Sequence, residues 1–441
     1  MWNSFLQIYA RRFVLQTLSR LEHGRLTVTS QDQGKEGKTL VVGPESDDRN
    51  VSIVILNPNA WTRICQGFDL GFAEAYMSQE VECDDLLSLF CLYLRNRGRL
   101  GFGSNVFNII PRLRHMLFLP TNNITHSRLN ITFHYDTSNE LFSAFLSPDM
   151  NYSNAVWSNN PNESLETAQV RSVHNILHKA QISATDHILD IGCGWGHLAM
   201  EAVRLTGCRV TGITLASEQK ALAEKRIKAA GLEDRITILL CDYRNAPSVK
   251  GGYDRIVSVE MVEHVGAKYM NSFFGTISRL LKPDGGVLVM QAITTNNLMH
   301  DNKPGITTFT DRYIFPGGYL CSTHVFLRSL HAGSKGSLEV DSLQSIGPHY
   351  IRTLMAWREN FLQNWNTIKA DFVGRHPDAT KADVEAFRRM WVYYFTYCES
   401  GFRSRVLTNH VIRAVRTPEP VITSTLPLLE PVVDLAFPVE T

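Results

Sequence analysis

The chain of 441 residues is long enough for two domains, and its hydrophobic content of 44% is typical of a globular protein. Its 44 basic and 43 acidic side chains nearly cancel, which excludes a protein whose overall charge recruits nucleic acid. The eight cysteines are scattered without the Cys-x-x-Cys or paired-histidine spacing of a zinc site, so we predict no bound metal and a reducing, cytoplasmic compartment.

The amino-terminal third predicts a small α+β unit. Residues 2–21 carry apolar side chains at helical spacing, which predicts an amphipathic helix that packs on the protein's own core or lies on a lipid surface. A helix is predicted over 59–66 and another over 84–94, with Asp84 as the cap of the second. Three alternating runs predict a small antiparallel sheet: 25–29, 38–42 and 51–56.

A basic stretch follows this unit. Between Leu86 and Tyr135 the chain has no acidic residue, and apolar side chains alternate with arginines. This pattern is typical of a peripheral surface that meets anionic phospholipid headgroups, and equally of a linker whose arginines pair with the following domain. No apolar run is long enough to cross a bilayer. The arginines are Arg95, Arg97, Arg99, Arg112, Arg114 and Arg128.

A strand, a glycine turn and a helix form the centre of the remaining chain. The apolar run 188–191 predicts a buried strand that carries Asp190, and a helix begins at about His197. Between them lie Gly192, Gly194 and Gly196 in the spacing G-x-G-x-G, not the G-x-G-x-x-G of dinucleotide-binding proteins. This compressed turn resembles the first motif of class I S-adenosylmethionine (SAM) methyltransferases. A tight turn without a ligand is the alternative.

Strands and helices then alternate as in a doubly wound α/β sheet. Helices are predicted over 217–230, capped by Ser217, and over 267–281. Ligands of such sheets bind beyond the carboxyl ends of the strands, where short polar segments follow the apolar runs. The further strands are predicted over 208–215, 235–243, 253–261 and 287–294.

Two carboxylates at these strand ends are candidate site residues. Asp242 provides an acceptor of the kind that an adenine amino group or a ribose needs, unless it is an ordinary solvated turn residue. Glu263 is flanked by apolar Val262 and Val265, so its carboxylate can be partly desolvated and act as a base or orient one. The alternative for Glu263 is a helix cap beside a satisfied histidine.

Several motifs recur along the chain in a fixed order. They are 22–26, 71–77, 134–139, 149–153, 190–196, 210–219, 263–266, 281–286, 313–318 and 349–357. Together they resemble the cyclopropane-fatty-acyl-phospholipid synthases and their mycolic-acid methyltransferase relatives. The resemblance spans nearly the whole chain, because the first two motifs are similar to the amino-terminal lipid-binding domain of that family.

The resemblance implies two domains, an amino-terminal α+β lipid-binding-like domain with the basic linker (1–125) and a SAM-dependent methyltransferase domain (126–441). The second would have a Rossmann-like seven-stranded sheet, lid helices within 296–336 and 346–400, and a late strand over 404–415. The resemblance and the strand ends together give the candidate SAM-binding residues: Tyr152, Ser153, Asp190, Gly192, Gly194, Gly196, Thr214, Gln219, Asp242 and Tyr243.

The chemistry that the resemblance implies is electrophilic. The alkene of an unsaturated phospholipid acyl chain attacks the sulfonium methyl, a carbocation forms, and a base removes a proton so that a cyclopropane ring closes. In the bacterial enzymes bicarbonate is that base, held by a cysteine, a glutamate, a histidine, an isoleucine main chain and a tyrosine. Here Glu263, Ile293 and Tyr350 match, whereas Asn154 and Gln291 stand where the cysteine and histidine are expected.

Asparagine and glutamine keep a donor and an acceptor but do not titrate near neutrality, so bicarbonate stays compatible with the sequence without being implied by it. Three functions therefore remain: a cyclopropane synthase acting on phospholipid acyl chains, a C- or N-methyltransferase of the same fold acting on a sphingoid or small-molecule acceptor, and a non-catalytic lipid- or SAM-binding relative. A dehydrogenase is excluded by the glycine spacing and by the lack of an acidic residue at the end of the second strand. The oligomeric state stays open, a homodimer included.

Overall fold

The structure is a computed structural model that describes residues 2–31, 37–44, 50–100, 138–301 and 308–417. The predicted domain limit at residue 125 lies outside the described residues. So do Arg112, Arg114 and Arg128 and most of the motif at 134–139.

A four-stranded sheet forms the centre of the amino-terminal unit. It contains β1 (Arg25–Ser30), β2 (Thr39–Val42), β3 (Asn50–Ile55) and β4 (Val81–Cys83) in the order β2-β1-β3-β4. The prediction of an antiparallel sheet is wrong for one pair, because β1 and β3 run parallel. β2 ends beside the start of β1, so a short connection from β2 can begin β3 only at that same end, and β3 then runs in the direction of β1.

Among the described residues, the helices that accompany this sheet are α1 (Trp2–Leu18), α2 (Asn59–Gly67), α3 (Asp69–Met77) and α4 (Leu86–Asn96). The amphipathic helix α1 buries Ala10 and Val14 in the core of the unit, whereas Phe5 and Ile8 are exposed. The cap of α4 is Asp85 and not Asp84, since the Asp85 carboxylate accepts from the N–H of Ser88 at 3.0 Å. Asp84 is occupied elsewhere, because its carboxylate accepts from the N–H of Ser52 in β3.

The second sheet has seven strands, which confirms the predicted methyltransferase fold class. Five parallel strands form its main part, and at one edge β11 pairs antiparallel with β9 and β10 pairs antiparallel with β11, in the order β10-β11-β9-β8-β5-β6-β7. The neighbours of β5 are β8 and β6, so the chain order reverses at β5 and leaves a crevice at its carboxyl end. The strands are β5 (His187–Ile191), β6 (Arg209–Thr214), β7 (Ile236–Leu240), β8 (Arg255–Val259), β9 (Val287–Thr295), β10 (Leu338–Ser345) and β11 (Leu407–Arg416).

The helix α5 (Asn139–Phe145) precedes this sheet in the chain and packs in the aromatic core with Trp357 and Trp391. The helices that flank the sheet are α6 (Leu165–Ala180), α7 (His197–Thr206), α8 (Ser217–Ala229) and α9 (Met270–Leu280). Ser217 is the first residue of α8 and not its cap, since Ala216 occupies the cap position. The N–H of Ala216 is bound instead by the hydroxyl of Thr214, which fixes the chain between β6 and α8.

A set of helices between and after the last strands forms the predicted lid: α10 (Asn297–Asp301), α11 (Phe309–Tyr313), α12 (Thr323–Ser334), α13 (Gly347–Gln363), α14 (Trp365–Arg375) and α15 (Lys381–Arg403). α15 connects the lid to the amino-terminal unit. Its Tyr393 ring contacts Phe90 of α4 with 4.9 Å between centroids, and Arg389 donates to the carbonyl of Tyr76 at 3.1 Å. In the described part of the chain, no helix combines the length and apolar character needed to span a membrane.

Candidate active site

The glycine turn follows β5 and is held by β6. The N–H groups of Gly192 and Cys193 donate to the carbonyl of Ile213 at 2.9 and 3.1 Å. Gly192, Gly194 and Gly196 have φ angles of 84°, 52° and 80°, which glycine adopts at low cost. A Cβ on Gly194 would meet no described atom within 4 Å, so the turn leaves free space beside its backbone.

Asp190 lies directly before this turn and is only 2% exposed. Burial raises the pKa of Asp190 to about 7. Its Oδ2 has no hydrogen-bond partner among the described residues, although buried polar atoms in folded proteins are nearly always paired. SAM carries amino and hydroxyl donors that can satisfy such an oxygen, so the open turn and the unpaired carboxylate fit this cofactor.

The other predicted cofactor residues lie after the two neighbouring strands. The Thr214 hydroxyl at the end of β6 bonds Gln219 Oε1 at 2.8 Å. Beyond β7, the carboxylate of Asp242 accepts from the Nε and Nη2 of the exposed Arg244, each at 2.7 Å, and these bonds lower the pKa of Asp242. The Tyr243 ring packs edge-on against Phe273.

Tyr152 and Ser153 occupy a different place. The Tyr152 hydroxyl bonds that of Tyr394 on α15 at 2.8 Å, and its ring lies 5.2 Å from Trp357 of α13. The carbonyl of Ser153 accepts from Gln169 at 2.8 Å. The predicted cofactor residues therefore form two groups, one at the ends of β5, β6 and β7 and one against the aromatic lid.

Glu263 lies in a single 3-10 turn after β8 and is 7% exposed. Its Oε1 accepts from the N–H of Ile293 at 2.6 Å, so the predicted pair of Glu263 and Ile293 is in contact. Its Oε2 has no partner among the described residues. Burial, and secondarily the nearby Glu260, raises the pKa of Glu263 to about 8, which keeps this carboxyl group protonated at neutral pH.

The most heavily bonded carboxylate of the site belongs to Glu260, to which the sequence analysis assigned no role. Its Oε1 accepts from the side chain of Gln291 at 2.8 Å, the side chain of Asn409 at 2.7 Å and the N–H of Asn154 at 3.1 Å. Its Oε2 accepts from the Tyr350 hydroxyl at 2.7 Å. Burial raises the pKa of Glu260, and these hydrogen bonds oppose the rise.

Asn154 contributes its backbone to this cluster and not its side chain. Its Nδ2 donates to the carbonyl of Ile346 at 2.8 Å, and its Oδ1 accepts from the Thr353 hydroxyl at 3.2 Å. The amide thus ties the segment before α6 to the start of α13. Substitution of the expected cysteine by asparagine at this position therefore fixes the backbone and does not supply a side-chain ligand.

Two features of the Glu260 cluster were missed by the sequence analysis. Glu260 has a φ of 49°, a left-handed conformation that costs a non-glycine residue about 1 kcal/mol. Asn409 comes from β11, more than a hundred residues further along the chain. The available signal was the position of Glu260 as the first residue after a buried strand, at the edge of the sheet where ligands bind.

One cavity of about 600 Å³ connects the carboxylates to the amino-terminal unit. Its lining includes Tyr152, Glu260, Glu263, Ile293 and Tyr350. Mostly apolar side chains of α1, α2 and α4 also line it, among them Phe13, Leu18, Trp61, Leu89 and Tyr93. The volume is within the range of small-molecule sites, and the lining combines polar groups with a larger apolar surface. The described residues contain no cluster of His, Cys, Asp and Glu that could hold a metal.

The chain is similar to known proteins over most of its length. The family model described as mycolic acid cyclopropane synthetase matches residues 122–412. The chain is 34% identical over 391 residues to tuberculostearic acid methyltransferase UfaA1 of Mycobacterium tuberculosis, which covers 85% of this chain and 86% of that protein. It is 35% identical over 364 residues to the cyclopropane-fatty-acyl-phospholipid synthase of Escherichia coli K12, over 80% of this chain and 85% of that protein.

A solved structure is similar as well. Mycolic acid cyclopropane synthase CmaA1, in complex with SAH and CTAB, superposes with a TM-score of 0.55 at 26% identity and covers 66% of this chain and 98% of that chain. Fungal sphingolipid C9-methyltransferases are also similar in sequence. The similar proteins thus share methyl-transfer chemistry but differ in the lipids that their names specify.

Proposed function

The chain belongs to the mycolic acid cyclopropane synthetase family of SAM-dependent enzymes, and from this premise we propose that it transfers a methylene unit to the double bond of an unsaturated phospholipid acyl chain and forms a cyclopropane ring. The cavity described above carries the proposal. Its apolar side chains suit a hydrocarbon chain, and the carboxyl groups of Glu260 and Glu263 in its lining support a reaction at this cavity.

The site must bind the acyl chain, exclude water and stabilise the positive charge that forms on the acyl chain. SAM supplies the electrophilic methyl group. Water would trap the carbocation that methyl transfer leaves on the acyl chain, so a closed apolar cavity is required. The rings of Tyr152 and Tyr350 line this cavity, and aromatic faces stabilise positive charge.

A second candidate is a methyltransferase that leaves a methyl branch on a fatty-acyl or sphingoid chain. Two observations favour it: Gln291 stands where a histidine is expected, and similar proteins are named tuberculostearic acid and sphingolipid C9-methyltransferases. Such enzymes share methyl transfer but give the carbocation a different fate.

One experiment separates these candidates. The protein is incubated with methyl-labelled SAM and vesicles of phosphatidylglycerol with monounsaturated chains, and the acyl chains are then analysed by mass spectrometry and proton NMR. We expect label in the chain, a mass gain of one CH2, loss of the vinyl signals and appearance of ring protons. Retained vinyl or exomethylene signals, or a branch methyl, would support the second candidate, and unlabelled lipid would contradict both.

We further propose that the enzyme meets the membrane peripherally through α1 and the basic end of α4. The exposed Phe5, Ile8 and Tyr9 of α1 provide apolar side chains, and Arg95 and Arg97 lie at the end of α4. The segment that follows α1 is bound to the end of α4, because the Asn96 carboxamide accepts from the N–H of Glu22 at 2.8 Å and Arg99 pairs with Glu22.

Charge reversal tests this surface. Arg95→Glu, Arg97→Glu and Arg99→Glu together should weaken binding to anionic vesicles by at least about tenfold in a sedimentation assay, since each basic residue near a membrane contributes about 1 kcal/mol. Reversal of the exposed Lys225, Lys228 and Lys250 serves as the control with the same change in charge. Equal binding by both triple variants would contradict the proposed surface.

A further inference from the structure

Three of the five residues expected to hold bicarbonate are already bound to a carboxylate of the chain itself, and the other two, Glu263 and Ile293, are bound to each other. The side chains of Gln291 and Tyr350 and the N–H of Asn154 all donate to the carboxylate of Glu260, and Asn409 adds a fourth donor. Gln291, Tyr350, Asn154 and Asn409 are each at most 5% exposed, so these donors are fixed within the core. The residues present therefore do not fit bicarbonate at this position.

A glutamate carboxylate resembles bicarbonate in the features that these donors recognise. Both are planar, carry one negative charge and present two oxygens to hydrogen-bond donors. Once Glu260 occupies the donors, a second anion there would lack partners and lie against a like charge. Gln291, which replaces the expected histidine, is suited to binding Glu260, because an amide donates to a carboxylate at any pH.

The backbone of Glu260 shows that its position is imposed by the surrounding fold. Its φ of 49° is unfavourable for a residue with a side chain, and such outliers cluster at functional sites. The unfavourable conformation turns the side chain at the end of β8 into the four-donor cluster. Glycine would adopt this backbone without strain but would leave the cluster empty.

The location of Glu260 is also suitable for chemistry. It lines the cavity proposed for the acyl chain, together with Ile293 and Tyr350. The next residue, Met261, lies against the glycine turn, since a Cβ on Gly192 would meet its side chain at 2.8 Å. Glu260 is thus placed between the lipid cavity and the cofactor turn. Its Oε2 accepts one described hydrogen bond, from Tyr350, and retains a further lone pair.

We propose that Glu260 is the base of the reaction and that its carboxylate takes the place of bicarbonate. The assignment rests on the proposed function. After methyl transfer, the positive charge lies on the chain carbon next to the newly methylated one. A C–H bond of the new methyl group breaks, its electron pair forms the bond to the cationic carbon, and the proton moves to the Glu260 carboxylate. The ring closes, and the charge of the carbocation and of the carboxylate is neutralised together.

Three variants test this assignment. Glu260→Gln keeps the size of the side chain but removes its basicity. Glu260→Gly relieves the backbone strain and opens the four-donor cluster to a free anion. Lys335→Gly is the control, because Lys335 has a φ of 55° at the end of α12 and glycine relieves strain there without touching the site. Each variant is measured for SAM affinity by calorimetry, for [13C]bicarbonate binding by NMR and for turnover with and without bicarbonate.

We expect wild type and Lys335→Gly to bind no bicarbonate and to turn over equally in bicarbonate-free buffer. Glu260→Gln should lose about 10³-fold in kcat with SAM affinity retained and without rescue, since its amide still fills the cluster. Glu260→Gly should bind bicarbonate and recover at least tenfold in kcat when it is added.

Bicarbonate-dependent turnover or bicarbonate binding by the wild type would overturn the assignment, as would a Glu260→Gln variant with kcat within tenfold of wild type. Absence of bicarbonate binding by Glu260→Gly would also count against it. If the wild type transfers no methyl group to unsaturated phospholipid, the proposed function fails, whereas the bicarbonate-binding measurement still reports whether Glu260 fills the anion position.

Discussion

The glycine turn and the Glu260 cluster lie at the ends of adjacent strands, yet they are built in opposite ways. The turn is seven consecutive residues, 190–196, and its properties come from the backbone. The cluster draws one residue from each of five distant segments, from Asn154 to Asn409, and its properties come mainly from side chains. The predicted cofactor turn is therefore encoded locally, whereas the predicted reaction site depends on the assembled fold. The two regions should therefore respond differently to substitution.

Among the variants that leave Glu260 in place, the largest effect is expected at the turn. Gly194→Ala places a Cβ in the open space beside the backbone, at a φ of 52°, and should raise the Kd for SAM about 100-fold, equivalent to about 3 kcal/mol. Gly251→Ala is the matched control, because Gly251 also has a positive φ and open space but lies in an exposed turn. Calorimetry with SAM should separate the two variants. Equal Kd values for Gly194→Ala and Gly251→Ala would show that the loss of SAM affinity comes from backbone strain in general and not from the space beside Gly194.

A smaller effect, on a different quantity, is expected at the cluster. Asn409→Ala removes one donor from the Glu260 carboxylate and should lower kcat about tenfold, in line with the 1.5–3 kcal/mol of a hydrogen bond to a charged group. The Kd for SAM should stay unchanged, because Asn409 is not part of the turn. Thr408→Ala, next to it on β11, is the control. A loss of SAM affinity in Asn409→Ala would mean that the two regions are not separable.

A still smaller effect is expected from Glu263→Gln. The raised pKa of Glu263, about 8, makes the carboxyl group neutral at pH 7, and glutamine keeps an acceptor for the N–H of Ile293. We expect kcat at pH 7 to change by less than about fivefold, because neither form carries a charge there. Together with Glu260→Gln, this variant identifies which of the two neighbouring carboxylates is the base. A loss of kcat as large as that expected for Glu260→Gln would show that Glu263 is ionised at pH 7 and needed in that form.

The last expected effect concerns stability and not rate. The folded pKa of Glu263 is about 8 against an ordinary value of 4.5, so the folded protein binds a proton that the unfolded chain releases between these values. The contribution of Glu263 to the free energy of unfolding is therefore complete below about pH 4.5 and is lost as pH rises to 8, by at most about 1.4 kcal/mol per pH unit. Urea unfolding from pH 5 to 8 should show a shallower decline for Glu263→Gln than for the wild type. Parallel curves would contradict the raised pKa.

The central strands were predictable because parallel strands buried on both faces read as short apolar runs. The predicted strands at 188–191 and 287–294 agree with β5 and β9 to within one residue. β10 was not predicted, because it is a largely polar edge strand. The parallel pairing of β1 and β3 was missed since periodicity predicts a strand but not the direction of its partner.

The candidate site was predictable to a different degree. The resemblance selected Gln291, Tyr350 and Asn154, and these three do converge. Their common partner, Glu260, was not predicted. Neither its left-handed backbone nor the approach of Asn409 can be recognised from the local sequence. The role of the Asn154 side chain was predicted incorrectly. It was expected to hold an anion, but it binds Ile346 and Thr353.

The pairing of β11 with β9 has a consequence for how the protein is made. Chains leave the ribosome from the amino terminus onward and their early parts begin to fold during synthesis. The glycine turn and its supporting strand β6 emerge early, whereas β11 must be inserted between β9 and β10 before Asn409 reaches Glu260. The predicted cofactor turn is therefore synthesised some two hundred residues before Asn409, and the Glu260 cluster can be completed only after the lid helices have been translated.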